Sequence, residues 1–218
     1  MSILPTIPKR EQSRPEEISN AFSHAVAFVT ASVATYYIII QAIHIGDAGF
    51  VVGVSIFCAT MVLLYLVSTL YHLLPYSKAK RVLRVFDHSA IFLLIAGTYT
   101  PFMLGAFRGA WGWSLLGTTW GIAALGVTFK VFAKEPHPIF STALYLIMGW
   151  IVVIAIKPFV ALVPMSGVLW LVMGGVTYTI GVIFFALDSR LRYSHFIWHL
   201  FVMGGTACHY IAIYLYAA

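Results

Sequence analysis

Two histidines stand four residues apart near the carboxyl end of the chain, in the stretch SHFIWH at residues 194–199. Positions i and i+4 share one face of a helix, so His195 and His199 would present two imidazoles to the same point. A third histidine, His72, ends a distant apolar stretch, and Asp87 follows it in the chain. Three neutral imidazoles with an open fourth position for water make up a catalytic type of zinc site. These residues could hold Zn²⁺ if the fold brings them together.

The composition shows what kind of fold must do this. Hydrophobic residues make up 61% of the 218 residues and charged residues 9%, whereas about a quarter of a soluble domain is charged. Apolar stretches of about 20 residues indicate membrane-spanning helices, not the strands of a barrel. We therefore predict an all-α integral membrane protein. Its net charge of +6 fits basic loops beside anionic lipid headgroups and gives no indication of nucleic-acid binding.

Hydropathy breaks at charged, Gly and Pro clusters predict a seven-transmembrane helix bundle. No cleavable signal peptide is expected at the amino terminus. Residues 1–18 are interpreted as a cytoplasmic tail and residues 19–218 as the transmembrane domain. The predicted spans lie near 20–44, 49–74, 87–107, 111–132, 138–157, 161–187 and 194–216.

The basic residues predict the orientation of the bundle. Lys and Arg concentrate in short cytoplasmic loops. Of the 13 Lys and Arg residues, only Arg108 and Lys157 fall on one side of the predicted topology, and the other eleven fall on the opposite side. This asymmetry places the amino terminus in the cytoplasm and the carboxyl terminus outside.

This topology predicts that the chemically useful residues lie at one level, just below the cytoplasmic interface. His72 ends span two, with Ser68 one turn deeper, while Asp87 begins span three and His195 and His199 begin span seven. We expect the three histidines to bind the metal. Asp87 would then hold the water and accept its proton as a general base, with Ser68 steadying that water.

Each residue also has an ordinary interpretation. Histidines inside a membrane often hydrogen-bond across helices. His72 could extend its ring to the interface, and Asp87 could be a carboxylate favoured by a helix amino terminus. The coincidence of level favours the metal site, because an ionisable group in a membrane needs a partner or a purpose.

Other polar residues are expected outside this site. His88 should point sideways, about 100° around the helix from Asp87, and His209 should lie roughly 21 Å deeper than His195, in the packed interior or on a cavity floor. Glu17, Asn20 and His24 give span one a polar face, which would either border the site entrance or form a solvated helix start.

Further positions have structural interpretations. Small residues four apart would let helices approach closely, and both cysteines should be free thiols in apolar surroundings. The loop residues His44, Asp47 and His137 should be solvated. The small pairs are Gly49/Gly53 and Gly117/Gly121, and the cysteines are Cys58 and Cys208.

Four stretches together resemble the hemolysin III family, the bacterial branch of the progestin and adipoQ receptor superfamily. They are EEISNAFSH, STLYH, FDHSAIFLLIAGTYTP and SHFIWHLFVMGGTACHY. The resemblance implies a seven-helix protein of the bacterial inner membrane with its amino terminus inside. It also implies a zinc ion held by His72, His195 and His199 near the cytoplasmic leaflet, with Asp87 and Ser68 close to its water.

The resemblance also implies several activities. The eukaryotic receptors of the superfamily are associated with hydrolysis of lipid amides such as ceramides, and the bacterial branch with cell lysis and membrane lipid homeostasis. We expect a zinc-dependent hydrolase of long-chain lipid amides or esters, with membrane lipids as substrate or ligand. The alternatives are a sensor with a structural zinc ion, for which four protein ligands are usual, a hemolysin-like cytolytic protein and, remotely, a bis-histidine haem protein. A pore would need polar residues through the whole depth, yet the outer halves of the spans are mostly apolar.

Overall fold

The structure, a computed structural model, describes residues 10–132 and 138–218. Within these residues, the chain forms eight α-helices and one short 3₁₀ segment, without a strand. In chain order they are α1 (Arg14–Ile45), α2 (Ala48–Leu73), α3 (Lys78–Leu104), α4 (Ala110–Phe132), α5 (Pro138–Trp150), the 3₁₀ segment (Ile151–Ala155), α6 (Ile156–Leu162), α7 (Met165–Ala186) and α8 (Ser194–Tyr216).

Seven helical segments are long and apolar enough to cross a membrane. Six are single helices, and the fifth, Ile139–Leu162, combines α5, the 3₁₀ segment and α6. Large apolar side chains such as Val29, Leu125 and Ile154 are exposed on the outside of the bundle, as lipid contact requires. The predicted all-α, seven-span fold is confirmed. The predicted orientation of the termini stays a prediction.

Several helix boundaries differ from the predicted ones. The third span begins at Lys78 and not near 87, because Ser77 caps the helix by accepting a hydrogen bond from the Lys80 backbone N–H at 3.1 Å. The charged stretch KAKRVLR therefore belongs to α3, and Asp87 lies in the third turn of the helix. α1 likewise begins at Arg14, within the predicted tail. The fifth span extends to Leu162 and α7 begins only at Met165.

The helices pack in a ring. α2 packs between α1 and α3, α3 also contacts α4, and α5 contacts α3, α4 and α7. α7 packs on α8, which closes the ring against α1. The carboxyl-terminal end of α2 and the amino-terminal end of α8 therefore lie at the same end of the bundle, which we call the histidine end. The opposite end, where α1 ends and α2 begins, is the far end.

Only one of the two predicted glycine pairs mediates close helix packing. A Cβ atom on Gly53 would lie 2.7 Å from the Cα of Pro101, and one on Gly49 would lie 2.5 Å from the carbonyl oxygen of Leu104. α2 and α3 are thus in near backbone contact. The interpretation of Gly117 and Gly121 was wrong, because both are exposed on α4 and a Cβ on either would meet nothing within 4 Å.

The expected loop residues have different outcomes. His44 is exposed but belongs to the last turn of α1. Asp47 was expected to be solvated, but its side chain makes two protein contacts. Its Oδ1 accepts a hydrogen bond from the Phe50 N–H at 2.7 Å and pairs with Arg108. His137 and the first nine residues of the predicted tail lie outside the described residues. Both cysteines are free, as predicted.

Candidate metal centre

Three histidines from two helices converge at the histidine end. His72 lies in the last turn of α2, and His195 and His199 lie in the first two turns of α8. All three are buried, and one ring nitrogen from each lies within 4.8 Å of those of the other two. Their ring centroids are 4.7–5.1 Å apart. These histidines are close enough together to bind one metal ion.

Oxygen atoms lie beside the Nδ1 atoms of all three rings. His72 Nδ1 donates to Glu17 Oε2 at 2.7 Å, and His199 Nδ1 lies 3.0 Å from Ser23 Oγ. Because the Ser23 hydroxyl donates to the Asn20 carbonyl at 2.8 Å, it accepts from His199. His195 Nδ1 has a longer contact, 3.3 Å, with an oxygen of Asp188. The hydrogen bonds of His72 and His199 leave Nε2 of these two rings for a metal, the arrangement that orients histidine ligands in metal proteins.

The sequence did not predict the partner of His72. Glu17 was expected at the site entrance or on a solvated helix start, but its carboxylate directly contacts this ring. Its other oxygen accepts a hydrogen bond from Lys80 Nζ at 2.8 Å, and Lys80 also donates to the Leu74 carbonyl at 3.1 Å. Glu17 thus connects α1 to both α2 and the start of α3. The signal for this role was its position at the same predicted level as His72.

Residues in the first turn of α1 and just before it hold the start of α8 in place. Glu16 receives two hydrogen bonds from Arg10, at 2.6 and 2.7 Å, and one from the backbone N–H of Tyr193 at 2.8 Å. Gln12 donates to both carboxylate oxygens of Asp188 at 2.9 Å. Burial opposes ionisation of Asp188, but its contacts with His195, Gln12 and Arg10 outweigh burial, and its pKa lies below the ordinary 3.8. Asp188 therefore faces His195 as an anion at neutral pH.

Asp87 and Ser68 line the same cavity as His195 and His199. Asp87 is buried, and its Oδ2 lies 3.4 Å from Nδ1 of His88. The hydroxyl of Ser68 is buried and has no hydrogen-bond partner in the part of the chain that the structure describes. The structure thus brings the predicted base and serine to the cavity beside the histidines. Their catalytic roles stay predictions.

The predictions for two other histidines have opposite outcomes. The prediction that His88 points sideways was wrong, because it lines this cavity together with Asp87. His209 lines a deeper part of the cavity, where its Nε2 donates to the Leu171 carbonyl at 3.1 Å. The expectation for His209 is confirmed.

A fourth histidine lies directly against one of the three. The ring of His24, on α1, is stacked on that of His199 with centroids 3.6 Å apart and planes 8° from parallel. His24 is only 3% exposed, and neither of its ring nitrogens has a hydrogen-bond partner in the described residues. The sequence placed it on a polar helix face without assigning it to the site.

The cavity extends from the histidines into the apolar interior. Its volume, measured as the space open to water-sized molecules, is about 110 Å³. A neighbouring pocket, lined by Phe102, Phe159 and Val168, shares Tyr99, Trp150 and His209 with it. A largely apolar passage thus leads away from the polar end.

The donor set fits a metal ion of the zinc type. Three imidazole nitrogens suit Zn²⁺, whose catalytic sites commonly have three protein ligands. His72 Nε2 is buried and has no hydrogen-bond partner within residues 10–132 and 138–218, and a bound cation would satisfy it. Among the described residues, no further His, Cys, Asp or Glu atom joins the group.

Fold and site together define a seven-span membrane protein with a buried histidine centre that could bind a metal. Residues 12–210 match the family described as haemolysin-III related, and the chain belongs to that family. The predicted family resemblance is confirmed. With seven spans and this membership, the predicted localisation as a multi-pass protein of the bacterial inner membrane is also confirmed.

Named relatives are similar along most of their length. The chain is 41% identical to the hemolysin-3 homolog of Bacillus subtilis (strain 168) over 201 residues, which cover 92% of this chain and 94% of the relative. It is 42% identical to hemolysin-3 of Bacillus cereus, with 92% and 91% covered. Human monocyte to macrophage differentiation factor is 27% identical over 215 residues, with 92% and 84% covered. No solved structure shows a significant match.

Proposed function

We propose that this protein is a membrane-embedded, zinc-dependent hydrolase of long-chain lipid amides or esters. The observation that carries the proposal is an incomplete set of protein ligands for a metal ion. Three histidines lie close enough together to bind one ion, and among the described residues no fourth His, Cys, Asp or Glu joins them. A structural zinc ion usually has four protein ligands, whereas a catalytic one keeps a position for water. The geometry therefore supports hydrolysis over a zinc-stabilised sensor.

The chain supplies the other groups that hydrolysis needs. Zn²⁺, when bound, would polarise the substrate carbonyl and lower the pKa of a water molecule from 15.7 to about 7. Asp87 would accept the proton of the attacking water and return it to the leaving nitrogen or oxygen as the acyl bond breaks. The Ser68 hydroxyl, buried and unpartnered, would hold that water in line with the carbonyl carbon.

The cavity supports a lipid substrate. Its polar groups lie beside the histidines, while Leu64, Leu94 and Ile95 are among the apolar residues that line it. An acyl chain could therefore lie in the apolar passage with its carbonyl at the polar end. Lipids of the surrounding bilayer would be the natural source of such a chain, and with the predicted orientation the carbonyl would lie near the cytoplasmic leaflet.

Purified protein in lipid nanodiscs tests this function. Metal-loaded protein is incubated with C16 N-acyl amides and with matched C16 esters, and released palmitate is measured by mass spectrometry. We expect release from at least one class, loss of release after chelation and recovery with added Zn²⁺. Absence of release from both classes by fully metal-loaded, folded protein would contradict the proposal and favour the sensor.

A further inference from the structure

The buried His24 has both ring nitrogens unpartnered beside the metal centre. A neutral imidazole offers one N–H donor and one acceptor, and buried polar groups in native proteins almost always have hydrogen-bond partners. Leaving both unpaired is costly. A group outside the described protein atoms must therefore satisfy this ring.

The ring is fixed by its neighbours, so only its edge remains for a ligand. One face stacks on His199 at 3.6 Å, and the ring meets Tyr65 edge-on at 5.1 Å between centroids. His24 lines the cavity together with Ser68 and Asp87. It does not belong to the three-histidine group that can share a metal, so its nitrogens stay available to a molecule in the cavity.

The chemistry of the neighbours indicates which atom His24 contacts. Asp87, as a carboxylate, only accepts hydrogen bonds, so it suits the attacking water. A carbonyl oxygen that gains negative charge during attack needs donors. The His24 ring contacts His199 directly and lines this cavity, and its N–H can act as such a donor. Ser68 also lines the cavity, but it is already assigned to the water.

We propose that His24 donates a hydrogen bond to the carbonyl oxygen of the substrate lipid and stabilises the negative charge that builds on it during attack. Neutral histidine serves as such an electrophile in other enzymes. The stacked contact with His199 holds the donor in position before the substrate arrives. This inference rests on the proposed hydrolase function.

Four variants test this role. His24→Phe keeps a ring against His199 and Tyr65 but removes both nitrogens. His24→Asn and His24→Gln replace the ring by an amide donor at the approximate positions of Nδ1 and Nε2. His44→Gln, at an exposed position near the other end of the same helix, is the matched control.

We expect His24→Phe to bind the same amount of zinc as wild type but to lose about 10²–10³-fold in kcat, with KM changed only a few-fold. In one of the two amide variants, kcat should be at least about tenfold higher than in His24→Phe. That variant would identify the ring nitrogen that donates the hydrogen bond. Unchanged kcat in His24→Phe would overturn the proposal. Parallel loss of zinc and activity would also overturn it, since His24 would then support the metal.

A binding measurement separates this inference from the hydrolase proposal. Palmitate presents a carboxylate oxygen where the carbonyl oxygen would lie, and its affinity for zinc-loaded protein can be measured by calorimetry without turnover. We expect about tenfold or greater weakening in His24→Phe and none in His44→Gln. If wild type binds palmitate but releases none from any lipid, the hydrolase proposal fails while the contact is still tested. If His24→Phe does not fold, the two amide variants still test the contact. It would be overturned if both bound palmitate as tightly as wild type and both had the kcat of wild type.

Discussion

The two ends of the bundle use charged residues differently. At the histidine end, the carboxylates of Glu17 and Asp188 lie against the rings of His72 and His195, two of the three candidate metal ligands. At the far end, Asp47 caps α2 and pairs with Arg108 on the exposed surface. The same carboxylate chemistry orients candidate ligands at one end and joins loops at the other.

Close helix packing occurs at both ends of the bundle. In the far half, Gly49 and Gly53 let α2 lie against the backbone of α3. At the histidine end, Gly181 of α7 also packs closely on Trp198 and Phe201 of α8, and polar contacts from α1 additionally hold the rings of His72 and His199. The polar contacts that position candidate ligands are thus a feature of the histidine end, added to its packing. Variants in the two halves should affect different properties.

The largest effect is expected at the predicted base. Asp87→Asn keeps the shape of the side chain but removes its capacity to take a proton, so kcat should fall about 10²–10⁴-fold. Metal content should not change, because Asp87 is outside the three-histidine group. Asp47→Asn at the far end is the control and should keep full activity. Equal rates for Asp87→Asn and wild type would remove Asp87 from the mechanism.

Glu17 should affect the metal and not the fold. Glu17→Gln removes the charge that orients His72, and loss of such a partner typically lowers metal affinity about 10–100-fold. Competition with a zinc chelator would measure this change. Lys80→Met removes the cation beside Glu17 and the hydrogen bond to the Leu74 carbonyl but leaves the contact between Glu17 and His72, so it should lower zinc affinity less. Zinc affinity in Glu17→Gln equal to that of wild type would show that the contact is incidental.

Glycine substitutions should show the opposite pattern. Gly53→Ala would place a methyl group 2.7 Å from the Pro101 Cα, and relief of this overlap should destabilise the fold by about 1–3 kcal/mol. Gly117→Ala meets nothing within 4 Å and serves as the control. Unfolding in detergent would compare the two, and zinc content per folded molecule should be unchanged in both. Equal stability of the two variants would contradict the close packing of α2 and α3.

The smallest effect, a change in stability, is expected when acid protonates Asp47 at the far end of the bundle. Hydrogen bonding from Arg108 lowers the pKa of Asp47 from 3.8 to about 2. The stabilisation from this depressed pKa is complete above pH 3.8 and is lost as the pH falls through about 2. The free energy of unfolding should differ only slightly between wild type and Asp47→Asn, and this difference should therefore stay constant from pH 8 to 5. A difference that changes within this range would show that another group titrates with the pair.

The sequence predicted the spans and the convergence of the three histidines well, because hydropathy and helix direction determine depth in a membrane. It did not predict the contacts of Glu17, Ser23 or His24, since these depend on how α1 is rotated against α2 and α8. The early start of α3 was missed because a charged amphipathic turn resembles a loop. The exposure of Gly117 likewise depends on which face of α4 meets α3, and spacing does not specify this.

Metal analysis of purified protein tests the central claim most directly. Wild type should contain one zinc ion per chain, and His195→Ala should contain almost none, because two imidazoles hold zinc far less tightly than three. His209→Ala, which changes a histidine deeper in the same cavity, should retain the metal. Zinc in His195→Ala at the wild-type level, or no metal in folded wild type after incubation with zinc, would contradict a metal centre of His72, His195 and His199.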